Sequence, residues 1–331
     1  MKYDSILLHN VEELIPCEGG FAMSRLPAHL RAILEQRNAG QVAFHSSGVE
    51  IRFRIRSGDA RITLHLRDIT EGLPAQILYG SFQGGWTMSA KAIGREPTEL
   101  RISPPEQPEL LVQIAEEQRM PFSPNVVRVL LPYGVCILDD VQGDLEPPEP
   151  EDLPSKALLS YGSSITHGSL ALGSMQCYAA RIARGLGYDS INLGLAGNCH
   201  LEPEIAEYIV TRKDWNAATV EMGINMLSFD ESQFEKRVFD FADILARDSR
   251  PIFVTDIFGF NGDQKHASRF RAIVEEACKG KLDHISGLSL LDDPTMVSAD
   301  LVHPSLEGHE QIAARWLKRI RGRIIQPVPP K

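Results

Sequence analysis

In the first part of the chain, polar and apolar residues alternate. Val49, Ile51, Phe53 and Ile55 are interleaved with Glu50, Arg52, Arg54 and Arg56; Ile62, Leu64 and Leu66 are interleaved with Thr63, His65 and Arg67. A period of two marks a strand with one buried face, and the intervening Ser57-Gly58-Asp59 predicts an antiparallel hairpin. The alternate arginines and His65 are expected on a solvated face, with a ligand-binding face as the alternative. Runs at Gln76–Tyr79, Leu110–Ile114 and Val126–Leu131, separated by Gly/Pro-rich turns, read as further strands. Together they predict an all-β sandwich of jelly-roll type. Ahead of them, Arg25–Leu34 follows the helical period, with Pro27 in the first turn, Leu30, Ile33 and Leu34 on one face and Gly40 as the stop.

From Gly143 to Pro154 the chain is acidic, dense in proline and nearly free of apolar side chains, which predicts a stiff extended linker. The expected division is a sandwich over 1–145, a linker over 146–155 and a second domain over 156–325. In that second part strands and helices alternate. Strands are expected at Ala157–Tyr161, Ser190–Leu193, Thr219–Met222 and Ile252–Thr255. Helices are expected at Ser174–Leu186, Pro203–Val210, Gln233–Ala246, His266–Cys278 and Leu306–Ile320. Such alternation implies an α/β domain with a parallel sheet covered by helices on both faces, binding its ligand at the carboxyl ends of the strands.

Composition narrows the function. The chain has 331 residues, 43% of them apolar, enough for two cores, and its formal net charge of −10 argues against a nucleic-acid backbone or an anionic membrane as principal partner. The apolar run after Met1 is too short for a signal peptide, and no run approaches the roughly 18 apolar residues of a membrane span, so a cytoplasmic location is expected. The five cysteines, Cys17, Cys136, Cys177, Cys199 and Cys278, are odd in number and lack CxxC spacing. They imply neither a disulfide framework nor a zinc site, and free buried thiols are expected.

The candidate chemistry sits at the predicted strand ends. Leu158-Leu159-Ser160-Tyr161-Gly162-Ser163-Ser164 is an apolar run broken by a glycine and two serines, a pattern that can present a serine hydroxyl at a sharp strand-to-helix turn. Ser164 is the candidate nucleophile. After the next strands come Asn192–Asn198 and Gly223-Ile224-Asn225, and near the chain end Asp300-Leu301-Val302-His303-Pro304. Singly, each has an ordinary explanation: a helix cap for Ser164 or Asn225, a turn for Gly197, a loop feature for Asp300 and His303. Together they meet the needs of acyl transfer, in which a serine needs a base, the base an orienting carboxylate, and the oxyanion fixed N–H donors. Asp300 and His303, three residues apart in a tight turn, can lie within hydrogen-bond reach.

These four stretches, in this order and spacing, resemble the blocks of the SGNH (GDSL) hydrolases over roughly Lys156 to Arg321. The resemblance implies a flavodoxin-like three-layer α/β/α fold, Ser164 as nucleophile and Asp300 and His303 as the rest of a triad. It further implies an oxyanion hole from the N–H groups of Ser164 and Gly197 and the amide of Asn225, with no metal or organic cofactor. Two departures stand out: Ser163 occupies the place of the usual aspartate before the nucleophile, touching support of the turn, and Met226 follows the third-block asparagine, reshaping the pocket wall. A sandwich ahead of such a domain looks like the two-domain carbohydrate esterases and related acyltransferases. His167, Asn198, His200 and Met226 are candidate pocket residues, Asp256 a rim or capping residue, and His309 a helix-surface residue.

The expected activity is therefore a serine esterase acting on a small-molecule acyl ester, with an acetylated carbohydrate or glycoside as the favoured class. The alternatives are an acyltransferase with a hydroxyl acceptor and a non-catalytic carbohydrate-binding protein. Every candidate reacting group follows Pro154, so the sandwich is expected to select substrate rather than perform chemistry.

Overall fold

The computed structural model describes residues 1–69 and 72–324; the expected domain end at 325 lies outside them. The chain divides into two compact units. The first takes Met1–Ser155 with the short segments Gly173–Met175 and Gly187–Asp189, and the second takes Lys156–Leu172, Gln176–Leu186 and the chain from Ser190 onward.

The first unit is an antiparallel β-sheet region of eleven strands: β1 (Lys2–Tyr3), β2 (Ile6–His9), β3 (Glu13–Cys17), β4 (Gly20–Ser24), β5 (Glu50–Leu66), β6 (Leu73–Tyr79), β7 (Phe82–Gln83), β8 (Ala90–Ile93), β9 (Thr98–Ile102), β10 (Val127–Leu130) and β11 (Cys136–Glu146). The main path runs β3-β4-β11-β5-β10-β6-β7. Its core buries Ile51, Phe53, Ile62, Leu64, Ile77 and Val129. Helix α1 covers Ala28–Glu35, with Leu30 and Leu34 buried as expected.

The structure differs from the sequence expectation at three places in this unit. The predicted hairpin is one continuous strand, β5, and Ser57-Gly58-Asp59 form a corner within it. Opposite that corner, Ile55 pairs with Leu145 and Arg61 with Gln142, so six steps along β5 are matched by three along β11. The three surplus residues make an irregular bulge with Gly58 at φ 69°, a left-handed value glycine adopts without strain. Because the surplus is odd, the inward positions switch from 51 and 53 to 60, 62, 64 and 66, and the period-two reading survives on both sides of a turn that is not there. Second, Leu110–Ile114 belongs to helix α2 (Pro108–Glu117), where Pro108 suits the first turn and Leu111, Ile114 and Ala115 fall on one side. Third, Arg52 is buried rather than solvated, and Arg128 on the neighbouring strand β10 is buried beside it. Both donate to the buried Glu50 carboxylate, at 2.8 Å from Arg52 Nε and at 2.6 and 2.8 Å from Arg128, and these opposite charges hold the Glu50 carboxyl, despite its burial, well below the usual carboxylate range.

In the proline-rich stretch, residues 143–146 end strand β11, and the residues after them are pinned. Pro150–Asp152 forms a single 3₁₀ turn closed by Asp152 Oδ2 on the Glu149 N–H at 3.0 Å, and the Ser123 N–H donates to the Asp152 carbonyl at 2.9 Å.

The second unit is an α/β domain. Strands β12 (Ala157–Gly162), β13 (Asp189–Gly194), β14 (Ala217–Glu221), β15 (Ile252–Thr255) and β16 (Asp283–Ile285) form one sheet in the order β13-β12-β14-β15-β16. The pairs β12–β14, β14–β15 and β15–β16 are parallel. Order 2-1-3-4-5 is that of the flavodoxin-like sheets. The helices are α3 (Ser164–His167), α4 (Tyr178–Leu186), α5 (Pro203–Thr211), α6 (Glu231–Leu245), α7 (Gln264–Cys278) and α8 (Leu306–Ile324). Helix α4 packs with α8, while α6 packs with both α5 and α7, supplying the two helical layers of a three-layer domain. The chain reverses its direction of winding between β12 and β14, and the carboxyl edge at such a point is where this topology leaves a crevice.

Candidate active site

Strand β12 is wholly buried and delivers Ser163 and Ser164 to that edge. Gly162 ends it because nothing larger fits: a Cβ there would lie 2.2 Å from Thr166 Oγ1 and 2.6 Å from Glu221 Oε2. Ser163 caps the short helix α3, its hydroxyl accepting from the Ile165 N–H at 3.1 Å. Ser164 opens the helix.

The loop before α8 brings the other groups to Ser164. The Ser164 Oγ lies 2.7 Å from His303 Nε2, and His303 Nδ1 lies 2.5 Å from Asp300 Oδ2. The other Asp300 oxygen accepts from the N–H groups of Val302 (3.0 Å) and His303 (2.9 Å) and from the Ser298 hydroxyl (2.7 Å). Partial burial works to raise the Asp300 carboxyl, but these bonds, the His303 side chain's first among them, outweigh it and hold the group well below the usual carboxylate range. An ionised Asp300 requires the proton on Nδ1 of a neutral His303, so Nε2 is the acceptor that faces the serine hydroxyl.

The second and third loops are tied to this turn. The Leu195 N–H donates to the Gly162 carbonyl at 2.8 Å, and Asn192 bridges the two segments through Nδ2 to the Thr166 carbonyl and Oδ1 to the Gly194 N–H, both at 2.8 Å. Gly194 permits the approach, since a Cβ there would sit 2.2 Å from the His167 backbone nitrogen. Gly197 has φ 68°. Asn225 Oδ1 accepts from the Cys199 N–H at 3.1 Å, which fixes its amide with the NH₂ group on the opposite side.

Beneath the turn lies a residue that the sequence reading passed over. Glu221, at the end of β14, is buried and accepts from the Ser163 hydroxyl (2.6 and 2.9 Å), the Ser163 N–H (2.9 Å) and the Thr166 hydroxyl (2.7 Å). The Tyr178 hydroxyl, 2.6 Å from Thr166 Oγ1, then donates to Thr166. Burial pushes the Glu221 carboxyl up, and the bonds from Ser163 and Thr166 oppose it without cancelling it. The available signal was a carboxylate inside the otherwise apolar run Val220-Glu221-Met222.

Residues 155–311 match the model of the GDSL-like lipase/acylhydrolase family. This stretch is a GDSL-like lipase/acylhydrolase domain. The whole chain is similar in fold to the salicylyl-acyltransferase SsfX3 from a tetracycline biosynthetic pathway, with 16% identity, 98% of this chain and 96% of that one covered, and a TM-score of 0.75. It is also similar to an acetyl xylan esterase, Est2A, from the rumen bacterium Butyrivibrio proteoclasticus (14% identity, 85% and 92% covered, TM-score 0.55). A family two carbohydrate esterase from Cellvibrio japonicus gives 14% identity, 87% and 93% coverage and a TM-score of 0.54. Comparison with curated proteins gives no match.

In the GDSL-like domain the remaining candidates take varied positions. His167 and Met226 are buried, so neither lines an open mouth; His167 Nδ1 accepts from the Ala196 N–H at 3.3 Å and ties α3 to the second loop. Asn198 folds back on its own turn, its amide donating to the Ala196 carbonyl at 2.8 Å. His200 is half-buried, its ring edge-on to Phe229 at 4.9 Å. Asp256 is buried and accepts from the Gly287 N–H at 2.9 Å, with His284 Nε2 at 2.8 Å, so it organises the next turn rather than a rim. His309 is a correction: it is fully buried, accepting from the Tyr178 N–H at 3.3 Å and donating to the Ser169 carbonyl at 3.2 Å. Burial lowers its pKa to about 4, against the opposing bond to Ser169. Among the described residues no group of three or more His, Cys, Asp or Glu side chains could hold a metal ion, and no helix is long and apolar enough to cross a membrane.

Proposed function

We propose that the chain is a serine esterase that cleaves small acyl esters through an acyl-enzyme. The single observation that supports this most is the line Ser164 Oγ to His303 Nε2 to Asp300, at 2.7 and 2.5 Å. In this reading Ser164 attacks the ester carbonyl as His303 Nε2 takes its proton, and Asp300 stabilises the imidazolium without accepting the proton. The tetrahedral oxyanion is met by the N–H groups of Ser164 and Gly197 and the Asn225 amide. Collapse breaks the bond to the alkoxy group, which leaves as an alcohol carrying the proton from His303. Water, deprotonated by His303, then attacks the acyl-enzyme, and the carboxylic acid departs as Ser164 regains its proton.

The favoured substrate is an acetylated carbohydrate or glycoside. The relatives in fold include two carbohydrate esterases and an acyltransferase, and transfer to a hydroxyl acceptor would use the same acyl-enzyme. A panel of aryl esters from acetyl to octanoyl, assayed with the wild type and Ser164→Ala, tests the reading. Turnover by the wild type and its loss in the variant is the expected result; turnover retained by Ser164→Ala overturns it. Partitioning of the acyl group between water and added alcohols separates hydrolysis from transfer.

A further inference from the structure

Among the described residues eight non-glycine residues hold a left-handed backbone. In the first unit they are Asp4, Asn10, Asn38 and Arg119, mostly the short polar types that tolerate this region. In the second unit they are all leucines: Leu170 (φ 61°), Leu172 (φ 66°), Leu201 (φ 55°) and Leu301 (φ 67°). A leucine in this conformation crowds its Cβ against the following carbonyl, and glycine or asparagine would be cheaper. Leu201 is fully buried, so its side chain returns that cost in packing. The other three are exposed, to 49% at Leu170, 72% at Leu172 and 52% at Leu301.

Their backbones are fixed to the reacting groups. The N–H groups of Gly168 and Ser169 both donate to the Ser164 carbonyl at 3.0 Å, and Ala171 N–H to the Gly168 carbonyl at 3.2 Å, so Leu170 and Leu172 sit in the turn that closes the nucleophile helix. Leu301 lies between Asp300 and His303; its N–H donates to the Ser298 carbonyl at 2.9 Å and its carbonyl accepts from the Asn261 N–H at 2.8 Å. Strained backbone carrying exposed large apolar side chains on both loops that bring Ser164 and His303 together is an arrangement that folding alone does not favour.

We propose that Leu170, Leu172 and Leu301 form an apolar rim beside Ser164 that receives an alkyl or aryl group of the ester. The proposal rests on Ser164 and His303 as the reacting pair, and deepens it by requiring a substrate with an apolar group on its acyl or its alcohol side. Buried against such a group, the leucines lose the exposed surface that is unfavourable in the free protein.

The test compares wild type with the variant carrying Leu170→Asn, Leu172→Asn and Leu301→Asn. One arm measures kcat/KM along acyl chains from acetyl to octanoyl on a single alcohol, the other along acetyl esters of methyl to naphthyl alcohols. The expected result is a fall of about tenfold in the ratio of apolar to small ester in one arm, which identifies the side of the ester that binds, together with a melting temperature equal to or above that of the wild type because the left-handed strain is relieved. Unchanged ratios in both arms overturn the rim, as does a uniform loss accompanied by a lower melting temperature. Sedimentation at several concentrations is run alongside: self-association lost in the variant with unchanged ratios would mark the patch as a contact between copies and overturn the proposal. Ser164→Ala is the control, since its retained activity would sink the reading of the site, whereas its loss with unchanged ratios sinks the rim alone. Leu172→Asn by itself, at the most exposed position, gives the same readout if the triple variant does not fold.

Discussion

The Ser163 hydroxyl donates to both carboxylate oxygens of Glu221, at 2.6 and 2.9 Å, from the position just before the candidate nucleophile. The acid expected in the turn itself is thus held one strand away, on β14, and reaches the turn through a serine. Three donors converge on Glu221, so the ionised form satisfies them all; a protonated carboxyl would force one hydroxyl to reverse.

Glu221→Gln should therefore lower kcat by about 10²-fold, the scale of a small misplacement of reacting groups, with KM changed far less. The amide NH₂ would face hydroxyl donors. Ser163→Ala should reproduce part of the loss, and the double variant should be less impaired than the product of the two singles predicts. Strictly multiplicative effects would show that Glu221 does not act through Ser163.

Ser164 rather than Ser163 should carry the covalent chemistry, because Ser163 Oγ is committed to Glu221 and the Ile165 N–H while Ser164 Oγ faces His303. Ser164→Ala should cost roughly 10³-fold or more in turnover. Mass spectrometry after fluorophosphonate treatment should find the adduct on Ser164, and an adduct on Ser163 would refute the assignment.

Asp300→Asn should be severe, since the amide can leave His303 in the wrong tautomer, an effect of about 10⁴-fold in serine proteases. A loss under tenfold would point to a serine–histidine dyad.

Asn225→Ala should lower kcat by about 10²–10³-fold with KM little changed, as when one oxyanion donor is removed. A raised KM with intact kcat would instead make Asn225 a ground-state binding residue.

Stability should depend on acid through His309. Its folded pKa of about 4 lies below the ordinary 6.5 because burial disfavours the imidazolium. Between these values the unfolded chain binds more protons, so the contribution is intact above pH 6.5 and is lost as the pH falls toward 4. From pH 7 to pH 5 the loss is about 2 kcal/mol. Glu221, pushed up by burial, acts in the opposite sense, favouring the native state as pH falls through its raised pKa. The clean measurement is therefore a comparison by urea unfolding of wild type with His309→Gln, in which both bonds can be kept; equal pH slopes would contradict the assignment.

The second unit was legible in the sequence because its strands are buried on both faces and its helices on one, so Ala157–Gly162 and Tyr178–Leu186 announce themselves by run length and period. The chain-end loop was legible because Asp300 and His303 are local partners. What escaped reading depends on neighbours distant in the chain. Glu221 meets Ser163 across 58 positions, and His309 meets Tyr178 across 131, so neither burial nor partner is visible in the local pattern. Arg52 looked solvated because alternation reports sides of a strand, while a Glu50 carboxylate and Arg128 make a charged side buriable.

The corner in β5 also constrains how the chain can change in length. Because three surplus residues separate the segment that packs Ile51 and Phe53 from the one that packs Ile62, Leu64 and Leu66, parity at Ser57-Gly58-Asp59 decides which side chains point inward. Losing or gaining a single residue there would turn one half of the strand inside out, whereas a change of two would keep both halves facing the core. Length variants at this corner should therefore be sorted by odd and even rather than by size, a rule opposite to the usual tolerance of surface turns for insertions of any length.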